Sequence, residues 1–374
     1  MATSSGSYMQ YKSLLLSYCK KIASEIQAQK EQAQDNNQKE IILTIYHDKC
    51  SNLIDEVTSF DGEALSFVVL SNVLQKIAQL VLDFTYVEEC CLVDHDFLLQ
   101  GAYERVSYII EALSSVESLA VEAAPDNHPH DVLGPTLAEC LHWRKGALFY
   151  MYCHTVNARC LRDQLPPHFK QCLENGSKHL VDMLSTRSSP LWLKDAAVLQ
   201  QEKTSAGASG DEGDMLLSQG IYSDTHLLAL MYLGEMCYWY AQLVQPVSQD
   251  SPAKTCQSDI GVPVDGGKDV CDTHLTDTNL GKQSMGEPAL AEARSDVAMA
   301  GAGGAVIESH SVTHPDPGCD GRASLQSGLS MDMLKIGQLC LENYVQAVKG
   351  PMSAGGWSTD RAEEILQFFE NLTL

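Results

Sequence analysis

Basic residues are scarce in this 374-residue chain: 25 Lys and Arg stand against 49 Asp and Glu, a formal net charge of −24. Nucleic acids and anionic lipid surfaces attract positively charged proteins, so this balance argues against both as partners. An export signal is also lacking, because residues 1–7 form neither a basic nor an apolar segment. We therefore expect a cytosolic protein whose 13 cysteines are reduced thiols.

Long uninterrupted apolar runs are missing too. The most apolar region, residues 64–86, contains Ser, Asn, Gln and Lys76. A membrane-spanning helix needs about 20 predominantly apolar residues. The sequence therefore predicts a core helix here and no direct insertion into a membrane.

Motifs for metal binding and catalysis are absent from the sequence. It has no Cys-x-x-Cys or His-Glu-x-x-His pair, no phosphate-binding loop and no dinucleotide fingerprint. Cys153 and His154 are adjacent, and Cys140 lies two positions from His142, so neither pair would share a helix face. Cys153, His154 and Cys237 could meet between helices, but buried cysteines usually pack. We predict no catalytic residue, no metal site and no cofactor, and a Cys/His hydrolase remains an alternative.

Apolar residues recur at three- and four-residue intervals along most of the chain, and nothing resembles a strand–turn–strand pattern. This periodicity predicts a compact all-α domain of about ten helices. The predicted long helices cover residues 9–30, 40–57, 64–86, 97–119, 137–159, 169–185, 224–244, 331–348 and 359–369, with a short one at 215–220. Acidic residues at 87–96 predict a loop.

Composition changes at Pro246, which predicts a three-part organisation. Residues 246–327 contain no aromatic residue and are dominated by Ser, Thr, Asp, Gly, Ala and Pro. Such a segment buries too little apolar surface to offset the entropy cost of ordering it. We predict a helical core at 1–245, a disordered acidic insertion at 246–327, and two C-terminal helices at 328–374 that pack back on the core.

The predicted central helix, 137–159, is apolar on almost all sides after Gly146, which indicates burial among other helices. Arg144 interrupts its apolar stripe. A buried unpaired charge costs several kcal/mol, so the Arg144 guanidinium must reach solvent, a buried carboxylate or a partner protein. Glu235 in the helix 224–244 is the predicted internal partner.

Six residues are candidates either for partner binding or for the core. Trp and Arg often anchor protein interfaces, although each tryptophan here is more readily explained as core. The candidates are Trp143, Arg144, Lys145, Glu235, Trp239 and Trp357.

Four groups of segments occur in the order in which they occur in one known family and resemble it. The similarity covers about half of the residues and is spread along most of the chain. The strongest is Leu-His-Trp-Arg-Lys-Gly-Ala-Leu-Phe-Tyr-Met-Tyr-Cys-His at 141–154, which resembles the Rab-seven-interacting subunit of the Mon–Ccz complex. The others lie at 82–97, at 216–239, and at 350–369, where Gly350-Pro351, Trp357 and Ile365-Leu-Gln-Phe-Phe369 occur. The first sixty residues and the insertion resemble the family poorly.

The resemblance implies a non-enzymatic adaptor of the Mon–Ccz guanine-nucleotide exchange complex. It further implies binding to the late-endosomal Rab-seven GTPase in its GDP form, support of that GTPase's stability, and recruitment to damaged mitochondria in mitophagy. No catalytic residue is carried over. A helical trafficking scaffold with a non-Rab partner remains the other adaptor-type alternative.

Overall fold

The computed structural model describes residues 5–33, 37–60, 66–98, 100–160, 164–187, 221–245 and 332–372. Within these ranges there are ten α-helices, one short 3-10 turn and no strand, so the all-α prediction is confirmed. The helices are α1 Ser5–Gln32, α2 Asn37–Ser59, α3 Phe67–Asp94, α4 Ala102–Ala123, α5 Pro129–Leu133, α6 Pro135–Arg159, α7 Phe169–Leu184, α8 Asp224–Val244, α9 Met333–Lys349 and α10 Asp360–Leu372. The predicted insertion and the short helix at 215–220 lie outside the described residues.

Helices that follow one another in the chain are usually packing neighbours. α1 packs on α2, α3 on α4, α6 on α7, α7 on α8, and α8 on α9. α10 contacts both α8 and α9, so the two C-terminal helices belong to the same compact unit as the first 245 residues. The main apolar core runs continuously through these helices.

Helix α3 extends eight residues, about two turns, beyond its predicted end. The acidic run that predicted a loop at 87–96 instead completes the helix through Asp94, because Glu88 and Glu89 are buried and neutralised by arginines. The loop prediction was therefore wrong for residues 87–94. Charge in a sequence indicates solvent only when no counter-charge is brought in by the fold.

Helix α3 is also the region that the sequence predicts to be a core helix and not a membrane-spanning one. By length and composition alone α3 could cross a membrane, with a mean hydropathy of 1.4 over its most apolar window. However, 56% of that window is buried inside the protein. Packing against α1, α2, α4 and α6 explains its apolar character as that of a core helix.

Glycines allow several of these helix pairs to approach closely. A Cβ added at Gly146 of α6 would lie 2.6 Å from Leu180 Cδ2 of α7. A Cβ at Gly337 of α9 would lie 2.5 Å from the Cβ of Cys237 on α8, with the Phe369 ring beside it. Since Cβ atoms cannot rotate away, the α8–α9 contact has no space for a larger residue at position 337.

We expect Gly337→Ala to lower the free energy of unfolding by a net amount of about 1–2 kcal/mol. Overpacking costs about 1–3 kcal/mol, and the better helix propensity of alanine returns up to about 1 kcal/mol. Chemical denaturation followed by circular dichroism measures the change. Gln346→Ala, at an exposed position of the same helix, is the control and should be nearly neutral. Equal stability of both variants would contradict the close-packed contact.

Candidate functional site

Three consecutive residues of α6 point to three different neighbours. A helix turns by about 100° per residue, so Trp143 faces α8, Arg144 faces α3 and Lys145 faces α4. All three were predicted as core or partner-binding residues. The burial and the contacts of each side chain show whether it lies in the core or at the surface.

Arg144 is bound inside the protein by helix α3. Its Nε donates to Glu89 Oε2 at 2.9 Å, its Nη2 donates to the same oxygen, and its Nη1 donates to the carbonyl oxygen of Leu82 at 2.8 Å. The guanidinium also lies 5.3 Å from the centre of the Tyr86 ring. The Arg144 and Glu89 side chains are only 12% and 8% exposed. The predicted Arg144–Glu235 ion pair is therefore wrong: an internal carboxylate is present, but it comes from α3.

Glu235 pairs with two other residues. Its carboxylate accepts a hydrogen bond from the Tyr150 hydroxyl at 2.5 Å and another from Arg361 Nε at 3.0 Å. Burial, followed by the Glu235 charge, raises the pKa of Tyr150 well above its usual value, so the phenol remains a donor. The Arg361 guanidinium lies over the Tyr238 ring. Glu235 thus links α6, α8 and α10 through hydrogen bonds and stabilises their packing.

Lys145 is the most deeply buried charged residue of α6. Its side chain is 1% exposed, and Nζ lies 2.5 Å from Glu117 Oε2 on α4. The other Glu117 oxygen, Oε1, is 3.3 Å from His142 Nε2. Lys145 therefore cannot contact a partner protein without a change of conformation.

Four aromatic rings stack between α6 and α8, and we call this set the aromatic ladder. Tyr150 and Tyr232 stack at 3.7 Å, with Trp143 beyond Tyr232 at 5.7 Å and Trp239 beyond Tyr150 at 5.6 Å. Tyr150 and Trp239 are each 4% exposed, whereas Trp143 and Tyr232 are half-buried. Trp143 and Tyr232 are the outer pair of the ladder, and each keeps part of its side chain accessible to solvent.

Trp357 is half-buried and follows the 3-10 turn Ser353–Gly355, where its ring packs close to Gly355. Of the six candidates, Trp143 and Trp357 keep aromatic surface accessible. The structure places Lys145, Glu235 and Trp239 in the interior, with Arg144 almost as buried.

The sequence did not predict one further cluster, which lies between α6 and α7. His142 of α6 and His179 and Asp182 of α7 each offer one nitrogen or oxygen atom, and these atoms lie within 4.8 Å of one another. Burial, and then the Lys145 charge, lowers the pKa of His142 to about 4 and that of His179 to about 3. Both imidazoles are therefore neutral at physiological pH.

The sequence contains only part of this cluster as a short-range pattern. His179 and Asp182 are three positions apart and share a helix face, but two residues alone are not a metal motif. His142 is distant in the sequence, and only the packing of α6 on α7 brings it to the other two. Ligand spacing in the sequence therefore does not predict this cluster.

The predicted hydrolase candidates lack an activated thiol. Burial raises the pKa of Cys140, and burial together with a hydrogen bond to Cys172 raises that of Cys153 well above its usual value. Burial also raises the pKa of Cys237 to about 12. A nucleophilic cysteine needs a lowered pKa so that thiolate is present. These thiols have the character of core residues.

The structure thus defines an all-α protein whose central helix is fixed by polar contacts to its neighbours. A family model described as RAB7A-interacting MON1-CCZ1 complex subunit 1 matches residues 45–275, which include the whole aromatic ladder. The chain belongs to this family, as its sequence motifs predicted.

Curated relatives of the same description support the assignment. A zebrafish (Danio rerio) protein is 36% identical over 200 residues, covering 52% of this chain and 67% of its own. A human protein is 31% identical over 331 residues, covering 86% of both chains. A mouse protein is 30% identical over 327 residues, again covering 86% of both. No solved structure matches the chain significantly.

Proposed function

We propose that this chain is a non-enzymatic adaptor that binds a RAB7A-type GTPase together with a MON1-CCZ1-type complex. The observation that carries the proposal is its similarity to the human and mouse subunits of that description along 86% of the chain. The absence of an activated thiol at Cys140 or Cys153 agrees with a role in binding.

The finer features of the proposal come from the family resemblance. The chain would prefer the GDP form of the GTPase, support its stability in the cytosol and be recruited to damaged mitochondria during mitophagy. Holding a GDP-bound GTPase and its exchange complex on one body raises their effective concentration for each other. A rigid body keeps its binding surfaces at fixed positions, and the buried links from α6 to α3, α4 and α8 contribute such rigidity.

A pull-down with purified proteins tests the proposal. The chain is immobilised and offered the RAB7A-type GTPase loaded with GDP or with a GTP analogue, with and without the MON1-CCZ1 complex. We expect retention of the GDP form, strengthened by the complex. Retention of the complex alone would favour a trafficking scaffold with a non-Rab partner, and retention of neither would contradict the proposal.

We further propose that the outer pair of the aromatic ladder is a contact for the GTPase or the complex. Accessible Trp and Tyr side chains on a rigid support are frequent hot spots, because their truncation removes a large contact area. Trp143 meets this condition because it stacks on Tyr232, and both residues lie on helices held by internal contacts.

We expect Trp143→Ala to weaken partner binding about tenfold or more, which corresponds to loss of a hot spot. Tyr11→Ala is the control, since Tyr11 is also a half-buried aromatic residue but lies outside the residues matched by the family model. Titration calorimetry gives both affinities, and thermal melting confirms that both variants are folded. If Trp143→Ala bound as tightly as the wild-type chain, Trp143 would not be part of the interface.

A further inference from the structure

We propose that His142, His179 and Asp182 form a binding site for Zn²⁺ or a closely related divalent transition metal. The site would join α6 to α7 through one ligand from the first helix and two from the second. It is independent of the adaptor function proposed above.

The strongest evidence is a pair of buried nitrogens. Nδ1 of His142 and Nδ1 of His179 are both buried, and neither forms a hydrogen bond with any described residue. Buried polar atoms in native proteins are nearly always satisfied. Two such exceptions in imidazoles whose ring centres are 6.1 Å apart, beside a carboxylate, call for a common partner. A divalent cation would satisfy both nitrogens at once.

The Glu117 carboxylate orients the His142 imidazole so that it can act as a metal ligand. Its Nε2 lies 3.3 Å from Glu117 Oε1, so Nε2 carries the hydrogen and Nδ1 keeps a free lone pair. Histidine ligands commonly donate their second nitrogen to a carboxylate, which fixes the tautomer and strengthens the ligand. Glu117 is itself held by Lys145, so this orientation is maintained from the interior.

Helix geometry explains why the three side chains meet. His179 and Asp182 are three residues apart on α7 and therefore point to the same side. Gly146 lies one turn after His142, and its missing side chain lets α6 approach the backbone and side chain of Leu180, the residue next to His179. This close approach brings His142 within reach of α7.

The donor set selects the class of metal. Two imidazoles and one carboxylate suit Zn²⁺, Co²⁺ or Ni²⁺, whereas Mg²⁺ and Ca²⁺ prefer oxygen ligands only. Tetrahedral Zn²⁺ with bonds of about 2.0–2.1 Å needs ligand atoms about 3.4 Å apart. The three atoms, now within 4.8 Å of one another, would move closer by up to about 1.4 Å through side-chain rotation. A water molecule would complete the coordination.

Nearby cations do not oppose binding strongly. Lys145 is the closest buried positive charge, and it is neutralised by Glu117. Asp182 contributes a negative charge, while Lys178 and His130 act on the cluster only through longer-range electrostatics. The charged side chains that act on the cluster are therefore balanced, with Lys145 and Lys178 positive and Glu117 and Asp182 negative, so no net positive charge repels the metal. Because the His142 side chain is 21% exposed, an ion can reach it from solvent.

The test uses the untagged full-length chain, treated with a chelator and then titrated with Co²⁺ as a spectroscopic probe and with Zn²⁺ by calorimetry. We expect one ion per chain and visible cobalt bands without the near-ultraviolet band of cobalt–thiolate bonds. Zn²⁺ should also raise the melting temperature, because it binds only the folded state. The thiolate criterion matters because the chain has 13 cysteines.

Variants assign the site. His179→Gln and Asp182→Asn should each weaken metal binding at least tenfold and remove the metal-induced rise in melting temperature. His47→Gln, on α2, is the control and should bind as the wild type does. Asp182→Asn preserves side-chain shape, so it tests the ligand role even if His179→Gln were to fold poorly. Unchanged affinity in Asp182→Asn, a thiolate band, or no binding to the wild-type chain would overturn the proposal.

Discussion

Replacing Arg144 with methionine is expected to lower the free energy of unfolding by about 3–5 kcal/mol, because it leaves the buried Glu89 carboxylate without its counter-charge. The side chains of this pair are only 12% and 8% exposed, so water cannot compensate well. The variant also loses the hydrogen bond from Nη1 to the Leu82 carbonyl oxygen. Urea denaturation followed by circular dichroism measures the loss.

Two controls separate the buried ion pair from a general effect of losing a charge. Lys76→Met removes a surface pair with Glu56, whose side chains are 47% and 37% exposed, and should cost less than about 1 kcal/mol. The double variant Arg144→Met with Glu89→Leu should recover most of the loss, because apolar residues often replace a buried pair without penalty. If Arg144→Met instead kept full stability but lost partner binding, Arg144 would be an interface residue.

Trp239→Ala should also destabilise the protein, by about 3–5 kcal/mol, because it removes a large buried ring from the aromatic ladder. The Trp239 side chain is 4% exposed and lies 5.6 Å from Tyr150, whose hydroxyl binds Glu235. Removing the ring should therefore also weaken the contacts that Tyr150 and Glu235 make between α6, α8 and α10. Denaturant unfolding provides the measurement.

The two tryptophans of the ladder are expected to behave in opposite ways. Trp239→Ala should reduce stability strongly yet leave partner affinity close to that of the wild type when measured well below its melting temperature. Trp143→Ala should cost less stability, because that ring is half-buried, and should reduce affinity. A reversed result would place the partner surface near Trp239 and not at the outer pair.

Much of the helical architecture could be predicted from local sequence patterns. The predicted helices 169–185 and 224–244 agree closely with Phe169–Leu184 and Asp224–Val244, since a strong apolar stripe indicates a helix wherever it packs. The prediction failed at residues 87–94 for a physical reason. Glu88 and Glu89 imply solvent in isolation, but Arg105 and Arg144 from other helices make their burial favourable.

The candidate sites depended far more on tertiary structure. The sequence by itself determined that the chain is all-α and to which family it belongs, and it predicted an internal carboxylate as the partner of Arg144. Only the packing decided that Glu89 would supply the charge, that Glu235 would bind Tyr150 and Arg361, and that His142 would meet His179 and Asp182. Periodicity defines the direction of a side chain about its own helix axis. Which neighbour lies in that direction depends on contacts between segments far apart in the chain.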